Sequence, residues 1–269
     1  VNQQDFALLS GLLKERSGLS IGMDKVYLLE SRLTPVARRL GMAKLEDLVA
    51  EVRRNKSEPL LRDITEAMTT NESFFFRDGK PFDAFRDEVL PALLAARKDT
   101  RSIRIWSAAC STGQEAYSIA MILKEQQAKL SGYRFEIVGT DISREVLEKA
   151  KVGLYSQFEV QRGLPIQMLM KYFTQVKDLW QIDGSLRAMA RFREYNLLSS
   201  LASLGKFDVI FCRNVLIYFD QETKGKVLGE MRKLLPPDGA LFLGAAETVL
   251  GISDAFKPLP GQRGIYGPA

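Results

Sequence analysis

Five polar residues stand where apolar runs of this chain end. Glu115 follows "IRIWSA", Asp141 follows "FEIVGT", Asn196 lies in "EYNLL", and Asn214 and Tyr218 lie in "CRNVLIYFD". They offer carboxylates, amides and a phenol. They offer no imidazole, because the chain has no histidine. Ser-His-Asp and Cys-His nucleophilic sites are therefore excluded, since their base is missing. Histidine-ligated metal is excluded as well, and two cysteines cannot build a Cys₄ zinc site. Cys110 and Cys212 read as small buried thiols at strand ends, with no disulfide and no metal expected.

The turn "SAACSTGQE" separates a strand pattern from a helix pattern, where a dinucleotide fold would carry G-x-G-x-x-G. Here only Gly113 is present, and Glu115 follows two residues later. A carboxylate at that mouth repels phosphate and attracts a cation. Asp141, an acid at the end of the second strand, has the position from which both hydroxyls of a ribose are bound. The competing reading makes Asp141 the N-cap of the next helix, a task Ser143 could perform instead. A nucleoside that carries positive charge and no phosphate satisfies both acids, and S-adenosylmethionine is the common one.

The elements that must position these residues fall into two groups. The first ~75 residues read as helices. Phe6, Leu9, Leu12 and Leu13 share a face and Gly18 stops the run. "DKVYLLESRLTPVARRLG" follows, with Pro35 expected to kink or break it. "KLEDLVAEVRR" and "EPLLRDITEAM" are a third and a fourth helix. Between Arg32 and Arg62 there are eight Lys/Arg against four Asp/Glu. That excess is either a solvated face or a docking surface for something acidic. "TTNESFFFRDGKPF" reads as the junction, and the helix after it is bent by Pro91.

From Ile103 strands alternate with helices, the pattern of a doubly wound, mostly parallel α/β sheet. "DLWQIDGSLRAMARF" breaks the rhythm. Its Asp183-Gly184 pair predicts an inserted antiparallel hairpin near 176–193. "AFKPLPGQRGIYG" predicts a last antiparallel edge. The expected division is 1–75, helical, and 76–269, α/β. Net charge is +5 and the pI about 9.1, a mild basic balance open to an acidic partner. No apolar run approaches the roughly 20 residues that span a bilayer, and no signal peptide opens the chain.

"WSAACSTGQEAYS", "GTDIS", "NLL" and "FCRNVLIYFD", preceded by "TTNESFFFR", together resemble the chemotaxis receptor methyltransferases, the CheR family. The resemblance covers nearly the whole chain. It implies a class I methyltransferase fold with a small all-α N-terminal domain, and methyl transfer from S-adenosylmethionine to glutamate side chains on receptor coiled coils. Asn71, Ser73, Arg77, Ala109, Glu115, Asp141, Asn196, Leu197, Asn214 and Val215 would then touch the cofactor. Arg77 and Tyr218 would be the catalytic pair. Arg38, Arg39, Arg53 and Arg54 would meet the receptor. A cytoplasmic monomer at receptor arrays is implied, with no metal, no nucleic acid and no membrane insertion. Ser73 stands where threonine is common in the family, and Gln114 where an acid is common. The family's hairpin can hold a peptide at the receptor's C-terminus. The short "IDGSL" turn leaves little room for a pocket, so no strong tether is expected, and Trp180 is the residue that could contradict this.

Two other functions compete. A nucleic-acid methyltransferase would suit the basic charge, but that class places N-P-P-Y/F or D-P-P-Y/F after the fourth strand, where this chain has "NVLIY". A cofactor-binding docking module without turnover would have no use for an intact Arg77 and Tyr218.

Overall fold

The computed structural model describes residues 1–269 and divides into two units. One comprises Val1–Thr70 with Tyr218–Thr223, the other Asn71–Ile217 with Lys224–Ala269. The phenylalanine run thus belongs to the larger unit.

The smaller unit holds α1 (Gln3–Ser17), α2 (Val26–Arg39), α3 (Leu45–Arg54) and α4 (Glu58–Met68). Asn2 caps α1 by accepting from the Asp5 N–H, and Gly18 ends it in the left-handed conformation. Leu9, Leu13, Leu29, Leu33, Leu48 and Ile64 form a fully buried core. Pro35 does not break α2. Pro35 and Ser31 are both exposed, so water can take the carbonyl that proline leaves without a donor. Arg38, Arg39, Arg53 and Arg54 are all exposed. Arg39 pairs with Asp63 at 3.1 Å, Arg53 with the buried Asp5 at 2.6 Å and Arg54 with Glu51 at 2.5 Å; Arg38 has no ion pair.

The larger unit carries ten strands: β1 (Ser102–Ala108), β2 (Arg134–Asp141), β3 (Leu154–Ser156), β4 (Phe173–Val176), β5 (Leu179–Ile182), β6 (Ala190–Glu194), β7 (Val209–Cys212), β8 (Ala240–Leu243), β9 (Phe256–Pro258) and β10 (Ile265–Pro268). Seven form one sheet in the order β6-β2-β1-β7-β8-β10-β9. The first five are parallel, and β10 and β9 add an antiparallel edge. Every residue of β7 and β8 is buried, as expected of strands covered on both faces. The chain winds from β1 outward to β2, then returns to β7 on the other side of β1. The switch point is thus the crevice at the carboxyl ends of β1 and β7, where such sheets bind ligands. Ahead of β1 the helix does not simply bend at Pro91: a π-helical turn, Phe85–Val89, absorbs the hydrogen bond that proline cannot make. No helix is long and apolar enough to cross a membrane.

The antiparallel insertion is present, but not with the strands expected. β3, β5 and β4 form a separate three-stranded sheet, and the turn of its β4–β5 hairpin is Lys177-Asp178, with Lys177 at φ 55°. Asp183-Gly184 is no hairpin turn. Asp183 has φ −57°, and its carboxylate accepts from the Ser185 N–H to open the short helix Gly184–Arg187. The run after it, β6, leaves the insertion and pairs in parallel with β2. Aspartate serves turns and N-caps with the same side-chain acceptor, which is why the dipeptide was ambiguous. Trp180 lies on the central strand β5, half-buried, its Nε1 donating to Gln157 at 2.7 Å.

Candidate active site

The turn after β1 is tightly constrained. Ala109 and Ser111 have φ of 54° and 50°, and Gly113 has φ 95°. A Cβ on Gly113 would lie 3.0 Å from the Ala150 Cβ and 3.2 Å from the Tyr117 ring. The one glycine is needed for backbone conformation and for close packing. Non-glycine residues at positive φ are costly and persist where surrounding contacts over-determine them. Here the Ser111 N–H donates to Asp141 Oδ2 at 2.9 Å and the Ser111 hydroxyl to the Asn71 carbonyl at 2.8 Å. The side chain of Gln114, the departure noted above, is turned to the Thr112 hydroxyl at 2.7 Å.

Asp141 is buried at the end of β2, and its other oxygen accepts from the Ser143 N–H at 3.0 Å. Ser143 itself caps the following helix, so Asp141 is not consumed as the cap. Burial pushes the Asp141 carboxyl up, against the backbone donors of Ser143, Ser111 and Ile142 that hold it down. Asn196 and Leu197 follow β6 and stay near this strand end, because the Tyr195 N–H donates to the Asp141 carbonyl at 2.9 Å. Leu197 is buried and Asn196 accepts from the Leu198 N–H.

Glu115, on the first turn of the helix Gln114–Glu125, points back to β1. It accepts from the Ser107 hydroxyl at 2.8 Å and from Arg213 Nη1 at 3.3 Å. Arg213 is buried and also reaches Asp78 Oδ2 at 2.6 Å and the Arg77 carbonyl at 2.9 Å. Two carboxylates thus face one guanidinium, which leaves the cluster one negative charge in excess.

Sequence reasoning passed over Arg213, Asp78 and Glu247. Glu247, just beyond β8, is buried and accepts from four backbone N–H groups: Asn214 at 2.6 Å, Gly244 at 2.7 Å, Val215 at 3.1 Å and Ile217 at 3.3 Å. It holds the loop that carries Asn214 at φ 60°. A Cβ on Gly244 would lie 2.6 Å from Glu247 Oε1. The only sequence signal was an acid three residues after a glycine at a strand end.

The segment Asn71–Arg77 is pinned at several points. The Phe76 N–H donates to Ser118 Oγ at 2.9 Å. Phe75 is fully buried, edge-on to Tyr155 and Phe173. Two guanidiniums lie over the Phe74 ring, Arg162 at 4.3 Å and Arg77 at 5.3 Å. Arg77 is half-buried, with Nη1 3.2 Å from the Glu72 carbonyl. Ser73 is half-buried and Asn71 exposed. Tyr218 ends the short turn Leu216–Tyr218 and groups with the helices; its carbonyl accepts from the Ser20 N–H at 2.8 Å. Cys110 and Cys212 are buried free thiols, both pushed up by burial.

These residues fit S-adenosylmethionine. The Glu115–Asp78–Arg213 cluster suits a cationic group, Asp141 keeps acceptor capacity for hydroxyls, and the turn shows no glycine-rich phosphate cradle. No group of acidic, histidine or cysteine side chains is arranged to hold a metal.

Residues 71–265 match the model of the CheR methyltransferase SAM binding domain, and residues 4–69 that of the CheR methyltransferase all-alpha domain. The chain is 40% identical over 265 residues to chemotaxis protein methyltransferase 1 of Pseudomonas aeruginosa, covering 97% of this chain and 96% of that protein. It is 39% identical over 268 residues to the chemotaxis protein methyltransferase of Vibrio parahaemolyticus, covering 98% and 96%. Among solved structures, PKMT2 from Rickettsia typhi aligns at TM-score 0.39 and 20% identity, over 65% of this chain and 26% of that one, too distant to bear on function. With both domains matched and the relatives spanned almost end to end, the chain belongs to the CheR family and carries out S-adenosylmethionine-dependent methylation in chemotaxis.

Proposed function

We propose that the acceptors are glutamate side chains on the cytoplasmic coiled-coil region of chemoreceptors, converted to methyl esters. The observation that carries this reading is a site with carboxylates and a guanidinium but no imidazole. A glutamate of ordinary pKa, about 4.3, is already ionised at neutral pH and needs no base. Bound S-adenosylmethionine supplies a methyl group activated by its sulfonium. Asp141 would accept from the ribose hydroxyls and Glu115 would face the ammonium group. Asn71, Ser73, Ala109, Asn196, Leu197, Asn214 and Val215 would line the remainder. Arg77 and Tyr218 would orient the acceptor carboxylate, so that one oxygen attacks in line with the departing sulfur. The acceptor oxygen would gain the methyl group through its lone pair, and S-adenosylhomocysteine would leave with the C–S bonding pair.

The test is incubation of labelled S-adenosylmethionine with a receptor cytoplasmic fragment, with nucleic acid, or with neither. Base-labile label on the receptor supports a glutamyl ester. Base-stable label, or label on nucleic acid, overturns it.

The helical unit would dock the acidic receptor surface through Arg38, Arg39, Arg53 and Arg54. Arg38 is the cleanest probe because it has no ion pair, whereas reversing Arg53 would also strand the buried Asp5. Arg38→Glu is expected to slow methylation by roughly tenfold at low salt, with cofactor affinity unchanged. Wild-type rates should fall as added salt shortens the Debye length from about 10 Å to about 3 Å. Salt-independent rates would contradict the docking role.

The hairpin turn is even shorter than "IDGSL", which supports methylation without a strong C-terminal tether. Titration of a tether peptide decides this. Binding at a few micromolar or tighter, abolished by Trp180→Ala, would refute it.

A further inference from the structure

Arg213 joins segments of the site that lie far apart in the chain, and its contacts do not look like a stability device. Its side chain is 2% exposed. Nη2 reaches Asp78 and the Arg77 carbonyl, Nη1 reaches Glu115, and the guanidinium carbon lies 5.5 Å from the Phe82 ring. Nε is buried with no hydrogen-bond partner. A buried cation with an unmade bond is costly, and an apolar residue would serve packing better. What the guanidinium supplies instead is a planar fork that binds two segments at once.

The first segment is the Phe76–Asp78 turn. Phe76 and Asp78 have φ of 49° and 70°, so the turn around Arg77 is strained and needs outside contacts to persist. The second is the first turn of the helix that carries Glu115. We infer that Arg213 is a positioning residue with two tasks: it holds the backbone of Arg77 in place, and it keeps Glu115 charged for the cofactor's cationic end. The second task rests on the proposed placement of Glu115 at the cofactor.

The surroundings of Glu115 explain why it needs help. Burial pushes its carboxyl up, and Glu247 pushes the same way; Arg213 and the Ser107 hydroxyl hold it down. Cys110 and Cys212 are also close, but burial keeps both thiols protonated. Asp78 lies beyond Arg213 and shares its charge. Arg213 is therefore the one cation acting on Glu115. Without it the carboxyl moves further up, and affinity for a cationic ligand falls as pH drops through the raised value.

The experiment is calorimetric binding of S-adenosylhomocysteine between about pH 8 and pH 6, where one newly titrating carboxyl costs about tenfold in affinity. The wild type should vary less than about twofold. Arg213→Gln should lose about tenfold over that range, and adding Glu115→Gln should flatten the profile again. Arg213→Lys keeps the charge but not the fork. Its binding profile should stay flat while kcat falls about tenfold from the loosened Arg77 turn. If Arg213→Gln binds more weakly with a flat profile, or Arg213→Lys turns over like wild type, the inference is wrong. If Glu115→Gln alone binds normally, the placement of Glu115 at the cofactor fails, and the charge task of Arg213 with it. A Glu115→Gln that binds weakly beside a flat Arg213→Gln overturns the inference alone. The binding profiles are read without any receptor, so a different methyl acceptor would leave them unchanged, and only the turnover of Arg213→Lys is read with a receptor fragment.

Discussion

Arg77→Ala should lower turnover on the order of 10²–10³-fold, the usual cost of losing one preorganised donor, while the protein stays folded. The structure makes this a clean test. The Arg77 side chain donates only to the Glu72 carbonyl and lies over the Phe74 ring at 5.3 Å. After truncation, Arg162 still stacks on Phe74 at 4.3 Å and still pairs with Glu72 at 2.7 Å. The segment thus keeps its anchors, and a fall in rate reports on the acceptor rather than on unfolding. Tyr218→Phe removes a neutral donor and should cost less than the arginine. Single-turnover methylation of a receptor fragment under saturating cofactor is the measurement. Near-normal turnover in Arg77→Ala would make that side chain structural.

Asp141→Ala should weaken S-adenosylhomocysteine binding by about 10²–10⁴-fold, because two hydrogen bonds to a charged group are lost at roughly 1.5–3 kcal/mol each. The same carboxylate also receives the Ser111 and Ser143 N–H groups, so truncation would leave these buried donors unpaired as well. Asp141→Asn keeps one acceptor oxygen, but its NH2 group would face the Ser111 or the Ser143 N–H, so it should bind at an intermediate level and lose less thermal stability than Asp141→Ala. Burial pushes the Asp141 carboxyl up, so binding should weaken at a higher pH on acidification than an exposed carboxylate would allow. Calorimetry that finds wild-type affinity in folded Asp141→Ala would remove Asp141 from the ribose.

Much of this architecture was legible residue by residue. The first four helices follow from apolar spacing and from breakers such as Gly18, and the parallel strands from runs such as "FDVIFC" and "GALFLGA". Those signals are local: side-chain period and backbone preference act within a few residues. The lone Gly113 and the acids at two strand ends were enough to suggest a cationic nucleoside. The Asp183-Gly184 reading failed because a short polar side chain satisfies a turn and a helix start equally well. Only the packing of β6 against β2 decided between them.

By itself the sequence determined the two element patterns, the absence of imidazole chemistry and the strand ends at which a ligand would sit. Tertiary structure alone decided what surrounds those positions. Arg213 meets Glu115 across 98 residues and Asp78 across 135, and Glu247 gathers the Asn214 loop from 33 residues away. No periodicity or propensity encodes such pairs. They exist because a doubly wound sheet brings distant strand ends to one edge, where a buried charge or backbone donor must find a partner or pay for desolvation.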